Sequence, residues 1–125
     1  MPTIKDVIPT FFVEDVRKSA KWYQRVMGFK VAFIAEAPGE PAYCGVDLGP
    51  ARIHLAQLEP RRPGVIFKGA CYLRLEEGVD EYVAGVAAKG QQLTSSLKDH
   101  DYGMREATVR DPDGNDIYIG QPLPG

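Results

Sequence analysis

Hydrophobic and polar positions alternate in blocks along this chain of 125 residues, and the period within each block predicts its element. Val7 to Val13 is rich in β-branched and aromatic side chains and reads as a strand. Asp15 stands at a helix N-cap position. Val16, Ala20, Tyr23 and Met27 then recur at helical spacing, and Trp22 and Val26 widen the stripe. Gly28 stops this helix where a left-handed residue is wanted. Three strands are expected next, Phe29–Ala35, Ala42–Leu48 and Ala51–Leu58, divided by the turns Pro38-Gly39-Glu40-Pro41 and Gly49-Pro50. Residues 59–68 hold Pro60, Arg61, Arg62, Pro63 and Gly64 and read as a linker.

The pattern then restarts. Ala70–Leu75 predicts a strand, and Val79, Val83 and Val86 mark a helix that Gly90 ends. Further strands are expected at about Gln92–Leu97, Arg105–Arg110 and Asn115–Gly120, the last behind the strong turn Asp111-Pro112-Asp113-Gly114. Gly28 corresponds to Gly90 at an offset of 62, and Ile53-His54-Leu55 to Ile117-Tyr118-Ile119 at an offset of 64. The chain is thus an internal duplication. The expected fold is α+β: one domain over 1–125, built from two tandem βαβββ modules at about 4–58 and 69–121. Each module puts its helix on one sheet face and leaves the other open, so two side by side bend into a curved sheet around a cleft.

Strand alternation sorts the faces. Val7, Phe11, Val13, Cys44, Val46, Leu48, Ile53, Leu55, Cys71, Leu73, Leu75, Ala107, Val109, Ile117 and Ile119 should pack beneath the helices. The open face then collects Phe12, Tyr43, His54, Tyr72 and Tyr118, with Asp47, Arg74 and Glu106 between them. Aromatic walls with a few polar groups suit a flat organic ligand. The bland alternative is a solvated sheet face, where tyrosine and threonine are common.

Composition narrows the function. Hydrophobic residues make up 44% and charged residues 26%, as in a globular domain. No apolar run approaches membrane-spanning length, and the first residues lack a charged-then-apolar leader pattern. The formal net charge of −2 offers nothing to a phosphate backbone, so neither nucleic acid nor a membrane is expected as partner. Cys44 and Cys71 lie far apart in apolar stretches without CxxC spacing, and read as reduced thiols of a cytoplasmic protein.

Two segments carry a resemblance: Val13-Glu14-Asp15-Val16 through Trp22-Tyr23-Gln24-Arg25-Val26-Met27-Gly28-Phe29, and Tyr102-Gly103-Met104-Arg105-Glu106 through Arg110-Asp111-Pro112-Asp113-Gly114-Asn115. With them the chain resembles the vicinal oxygen chelate superfamily of glyoxalases, bleomycin-resistance proteins and dioxygenases, over nearly its whole length. The second segment is most similar to the bleomycin-resistance branch. The resemblance implies the glyoxalase/bleomycin resistance fold.

Enzymes of that superfamily hold a divalent metal at positions on the first, fourth, fifth and eighth strands. These fall here at Ile8 or Pro9, His54, Ala70 or Cys71, and Tyr118. Ile8 and Ala70 have no lone pair, a neutral tyrosine replaces a carboxylate, and His54 alone does not make a site. His100, in the Lys98–Tyr102 loop, matches no ligand position. No metal or other cofactor and no catalytic residue is therefore expected. The resemblance implies a metal-independent protein of the antibiotic-resistance type, binding a planar aromatic drug or metabolite in a homodimer groove. Its ligand-binding set would be Phe12, Tyr43, Asp47, His54, Tyr72, Tyr102, Glu106 and Tyr118, with Tyr102 at the place of the family's groove aromatic. Pro9 is either the hinge of an exchanged first strand or an edge-strand residue without exchange. The alternative is a lyase or dioxygenase using His54 with a divalent metal, or His54 or Glu106 as general base. Nothing in the sequence argues specifically for a protein–protein module.

Overall fold

The strand at Thr10–Val13 (β1) leads into the helix Val16–Met27 (α1), as the apolar periodicity requires. Asp15 caps α1, its Oδ1 accepting from Lys18 N at 3.1 Å, and Gly28 closes it in the left-handed region at φ 77°. Three strands complete the first module: Lys30–Ala35 (β2), Tyr43–Leu48 (β3) and Ala51–Gln57 (β4). The second repeats the order with Ala70–Arg74 (β5), Val79–Ala88 (α2), Ser95–Asp99 (β6), Met104–Arg110 (β7) and Asp116–Pro122 (β8). This computed structural model describes residues 1–58 and 68–124. Apart from Lys68, which has no regular secondary structure, the expected linker lies outside the described residues.

The duplication is visible in the strand pairing. The first sheet runs β1-β4-β3-β2 and the second β5-β8-β7-β6. In each, the first strand pairs parallel with the last and the other pairs are antiparallel.

Three expectations about element bounds are corrected. β1 starts at Thr10 rather than Val7, because Pro9 has no N–H to give the ladder. His54 N still donates to Pro9 O at 3.0 Å, but Val7, expected to pack, is 88% exposed. β6 is Ser95–Asp99 instead of Gln92–Leu97. Gln91, just ahead of it, is engaged as acceptor by Trp22 Nε1 at 3.2 Å, and the pairing with β7 is irregular between Ser95 and Lys98. β5 ends at Arg74, leaving Leu75 just outside the strand, where its N–H donates to Gly120 O.

Apart from Val7, the assigned inner faces hold. Phe11, Val13, Cys44, Val46, Ile53, Leu55, Leu73, Ala107, Val109, Ile117 and Ile119 are buried in one core with α1 and α2; Leu48, Cys71 and Leu75 are partly buried against it. Each large aliphatic residue there contributes about 1.5–3 kcal/mol through burial. Burial pushes the free Cys44 and Cys71 thiols up to about 11, which leaves them protonated at neutral pH.

A buried polar cluster fastens the modules together. Asp111, at the turn before β8, is 3% exposed and Asn115 is fully buried. Asp111 Oδ2 accepts from Tyr23 of α1 at 2.9 Å and from Asn115 Nδ2 at 3.0 Å. Its Oδ1 accepts from the backbone of Asp113 and Asn115 at 2.9 and 2.8 Å. Asn115 in turn accepts from Gly69 N at 2.7 Å, and Asp113 Oδ1 accepts from Glu14 N at 2.8 Å. Burial first, and the Asp111 charge second, push the Tyr23 phenol far above its ordinary range.

Removing the Tyr23 hydroxyl therefore leaves a buried carboxylate short of a donor. Tyr23→Phe is expected to lose about 2 kcal/mol in equilibrium denaturation. Lys21→Ala, on the exposed side of α1, should change little; equal stability of Tyr23→Phe and wild type would contradict this role.

Candidate functional site

Both sheets turn one face away from their helix, and each open face carries its own cluster. On the first, Tyr43 Oη lies 2.8 Å from His54 Nδ1 across the β3–β4 ladder. The other ring nitrogen, Nε2, is buried without a protein partner. Phe33 of β2 approaches His54 edge-on, with ring centroids 5.5 Å apart, and stacks near Tyr43 at 6.3 Å. Asp47 is held by Arg52 through two bonds of 2.6 and 2.8 Å, and this guanidinium keeps its carboxyl below the usual range.

On the second sheet the centre is Glu106 of β7. Tyr72 of β5 donates to one of its oxygens and Tyr102, in the β6–β7 turn, to the other. His100 Nε2 lies 3.7 Å from Glu106 Oε1, and the His100 ring stacks on Tyr102 at 4.9 Å. Partial burial opposes the Glu106 charge. The Tyr102 and Tyr72 hydroxyls and the nearby imidazole outweigh that and hold the carboxyl below its ordinary range. Conversely, the bond to Glu106 pushes the Tyr102 phenol up to about 12. Burial and the same carboxylate raise Tyr72 further.

Tyr72 and Tyr118 are register partners on the parallel strands β5 and β8, so their rings stand nearly parallel, 7° apart with centroids 6.5 Å apart. They are 43% and 40% exposed. A cavity of about 330 Å³ opens at Tyr118, lined also by His100, Tyr102, Glu106, Thr108 and Arg110 among others. A smaller one, about 190 Å³, lies between Asp6–Pro9, Pro50–Ile53 and Cys71–Leu73.

The expected binding set is thus divided. Tyr72, Tyr102, Glu106 and Tyr118 come together on the second sheet; Tyr43, Asp47 and His54 lie on the first. Among the described residues no hydrogen bond or ring contact links the two groups. Phe12 lies on the open face of β1 at 37% exposure, and Arg74 is exposed at the end of β5. Sequence reasoning missed His100 and Phe33. His100 was legible: a hairpin about Tyr102-Gly103 sets residue 100 opposite 104, and alternation then puts it on the face of Glu106.

The donor set does not fit a catalytic metal. Thr10 stands beside His54 in register and Tyr72 beside Tyr118, while Ile8 and Pro9 precede β1 and Ala70 opens β5. Among the described residues, no three or more histidine, cysteine, aspartate or glutamate side chains are grouped to hold an ion. A single imidazole among hydroxyl and alkyl groups falls short of the usual ligand set.

Residues 7–119 match the family described as Glyoxalase/Bleomycin resistance protein/Dioxygenase superfamily. The chain belongs to that superfamily. No curated protein shows significant sequence similarity to it. Among solved structures it resembles TioX from Micromonospora sp. ML1, with a TM-score of 0.78 and 22% identity over 93% of this chain and 97% of that one. A glyoxalase-related enzyme from Clostridium phytofermentans superposes with a TM-score of 0.76 at 20% identity, covering 98% of both chains. Lactoylglutathione lyase from Agrobacterium tumefaciens gives 0.71 at 17% identity, over 96% of this chain and 95% of that one. These likenesses establish the glyoxalase/bleomycin resistance fold, which hosts both enzymes and non-enzymes in this superfamily. No described helix is long and apolar enough to cross a membrane.

The Glu106 bonds are directly testable. In Glu106→Gln the Tyr102 phenol loses its charged acceptor, and ultraviolet titration should show it ionising nearer the ordinary tyrosine value of about 10. The stability side has a definite sign. Because Glu106 is held below its unfolded pKa, its contribution is complete above the ordinary glutamate range and is lost as pH falls through the depressed native value. The stability gap between wild type and Glu106→Gln should therefore shrink on acidification.

Proposed function

We propose that this superfamily member is a metal-independent binding protein that sequesters a planar aromatic antibiotic or metabolite. The observation that carries the reading is the tyrosine pair Tyr72 and Tyr118, parallel within 7° and about 40% exposed, with Tyr118 lining a cavity of about 330 Å³. A flat ring system stacking on such a surface gains about 1 kcal/mol beyond simple area burial. Tyr102 and Glu106 line the same cavity and offer polar groups that can orient a ligand. The poor metal donor set supports binding over conversion.

The reading includes a cytoplasmic homodimer in which the groove is shared. Its support is the uncovered apolar edge: Val31, Phe33 and Ile34 of β2 are each 36–37% exposed, and Ile4 and Val7 of the arm ahead of β1 are more so. The arm turns into the sheet at Pro9, the candidate hinge for an exchanged first strand.

A second reading has an observation of its own. Tyr43 fixes one nitrogen of His54 and leaves Nε2 buried and unpartnered, an arrangement suited to a general base. That would make the protein a lyase or dioxygenase of the superfamily.

Titration with acridone, a neutral flat fluorophore, tests the binding reading. Tyr102→Ala and Tyr118→Ala should each weaken binding by about fivefold or more. Unchanged affinity in both overturns the reading. Light scattering on the same samples should give twice the 13.8 kDa chain mass; a clean monomer contradicts the shared groove.

A further inference from the structure

The proposed ligand face of the second sheet depends on a missing side chain. Arg74, Gly120 and Glu106 are successive register partners across β5, β8 and β7. A Cβ on Gly120 would overlap the Tyr72 hydroxyl and come within 3.0 Å of Glu106 Cγ. The gap in that row is therefore what lets Tyr72 reach over β8 to the carboxylate on β7. Tyr102 reaches the same carboxylate from the hairpin, and Tyr118 stands beside Tyr72.

Among the described residues no lysine or arginine pairs with Glu106. Arg110 is bound to Asp116 at 2.8 Å, and Arg105 to Asp99 at 2.6 Å and to Asp80. Lys98 is the register neighbour of Glu106 on β6 yet makes no ion pair with it; Arg74 lies beyond Gly120 at the far edge. Among the described residues the one basic group within 4.0 Å of the carboxylate is His100, at 3.7 Å. A phenol that donates to a carboxylate carries more electron density on its ring. That strengthens the attraction of the ring face for a cation.

We propose that this face is a site for an organic cation, a substituted ammonium, drawn to Glu106 and enclosed by Tyr72, Tyr102 and Tyr118, with Gly120 as the positioning residue that allows the enclosure to form. The proposal rests on the binding reading above and specifies the charge of the ligand. Aromatic walls contact the alkyl groups of such a head, and the carboxylate supplies the charge that a neutral isostere does not answer.

Choline and its uncharged isostere 3,3-dimethylbutan-1-ol test this by nuclear magnetic resonance titration of the full chain. Wild type should bind choline about tenfold tighter than the alcohol. Glu106→Gln should abolish the preference, and Gly120→Ala should do the same by displacing the Tyr72 hydroxyl. If Gly120→Ala does not fold, Glu106→Gln decides. No choline binding, equal binding of the two probes, or a preference that survives in Glu106→Gln overturns the proposal. Acridone separates the two ideas: if it binds wild type through Tyr118 while choline shows no preference, the flat-ligand reading stands and the cation site does not.

Discussion

A single buried carboxylate governs how the halves of this protein meet. Asp111 sits in the turn before β8, out of contact with water, and every bond that makes its charge tolerable is local to that turn or comes from the first module. Burying a charge is costly unless it is thoroughly hydrogen-bonded. The turn, Asn115, the Tyr23 phenol and the approach of Gly69 must therefore all be in place at once. That requirement fixes α1 against the β7–β8 turn. The open faces of both sheets, where the candidate site residues lie, inherit their orientation from it.

On this frame the duplicated modules have diverged in chemistry. Equivalent strands occupy equivalent places, yet the position of His54 in the first module is taken by Tyr118 in the second, and that of Thr10 by Tyr72. The first sheet carries an imidazole tied to one phenol. The second carries a carboxylate tied to two. A fold that often gathers donors around a metal here gathers phenols around an anion.

Much of this was legible in the sequence. The helix caps Asp15 and Gly28, the turn Asp111-Pro112-Asp113-Gly114 and the offset between halves give the element order and the duplicated topology directly. Period-two alternation places Ile53, Leu55, Ile117 and Ile119 inward and His54, Tyr72 and Tyr118 outward. What stayed hidden depends on long-range register. Tyr23 reads as one more apolar helix position, because nothing local reveals that its hydroxyl reaches a residue 88 positions later. The partition of the open face into two clusters is equally non-local, since it follows from which strands pair. The start of β6 is hidden for the same reason: Leu93 and Leu97 keep strand-like spacing from Gln92 onward, while the ladder with β7 begins only at Ser95.

The Asp111 turn has a counterpart in the first module, Gly49-Pro50, which offers no acidic side chain. The two repeats are therefore not interchangeable. A chain assembled from two copies of the second half would lack the phenol that Asp111 needs, and one assembled from two copies of the first would have no acid for Tyr23 to grip. The clasp makes the two modules complements rather than copies, each holding the half of a bond that the other lacks.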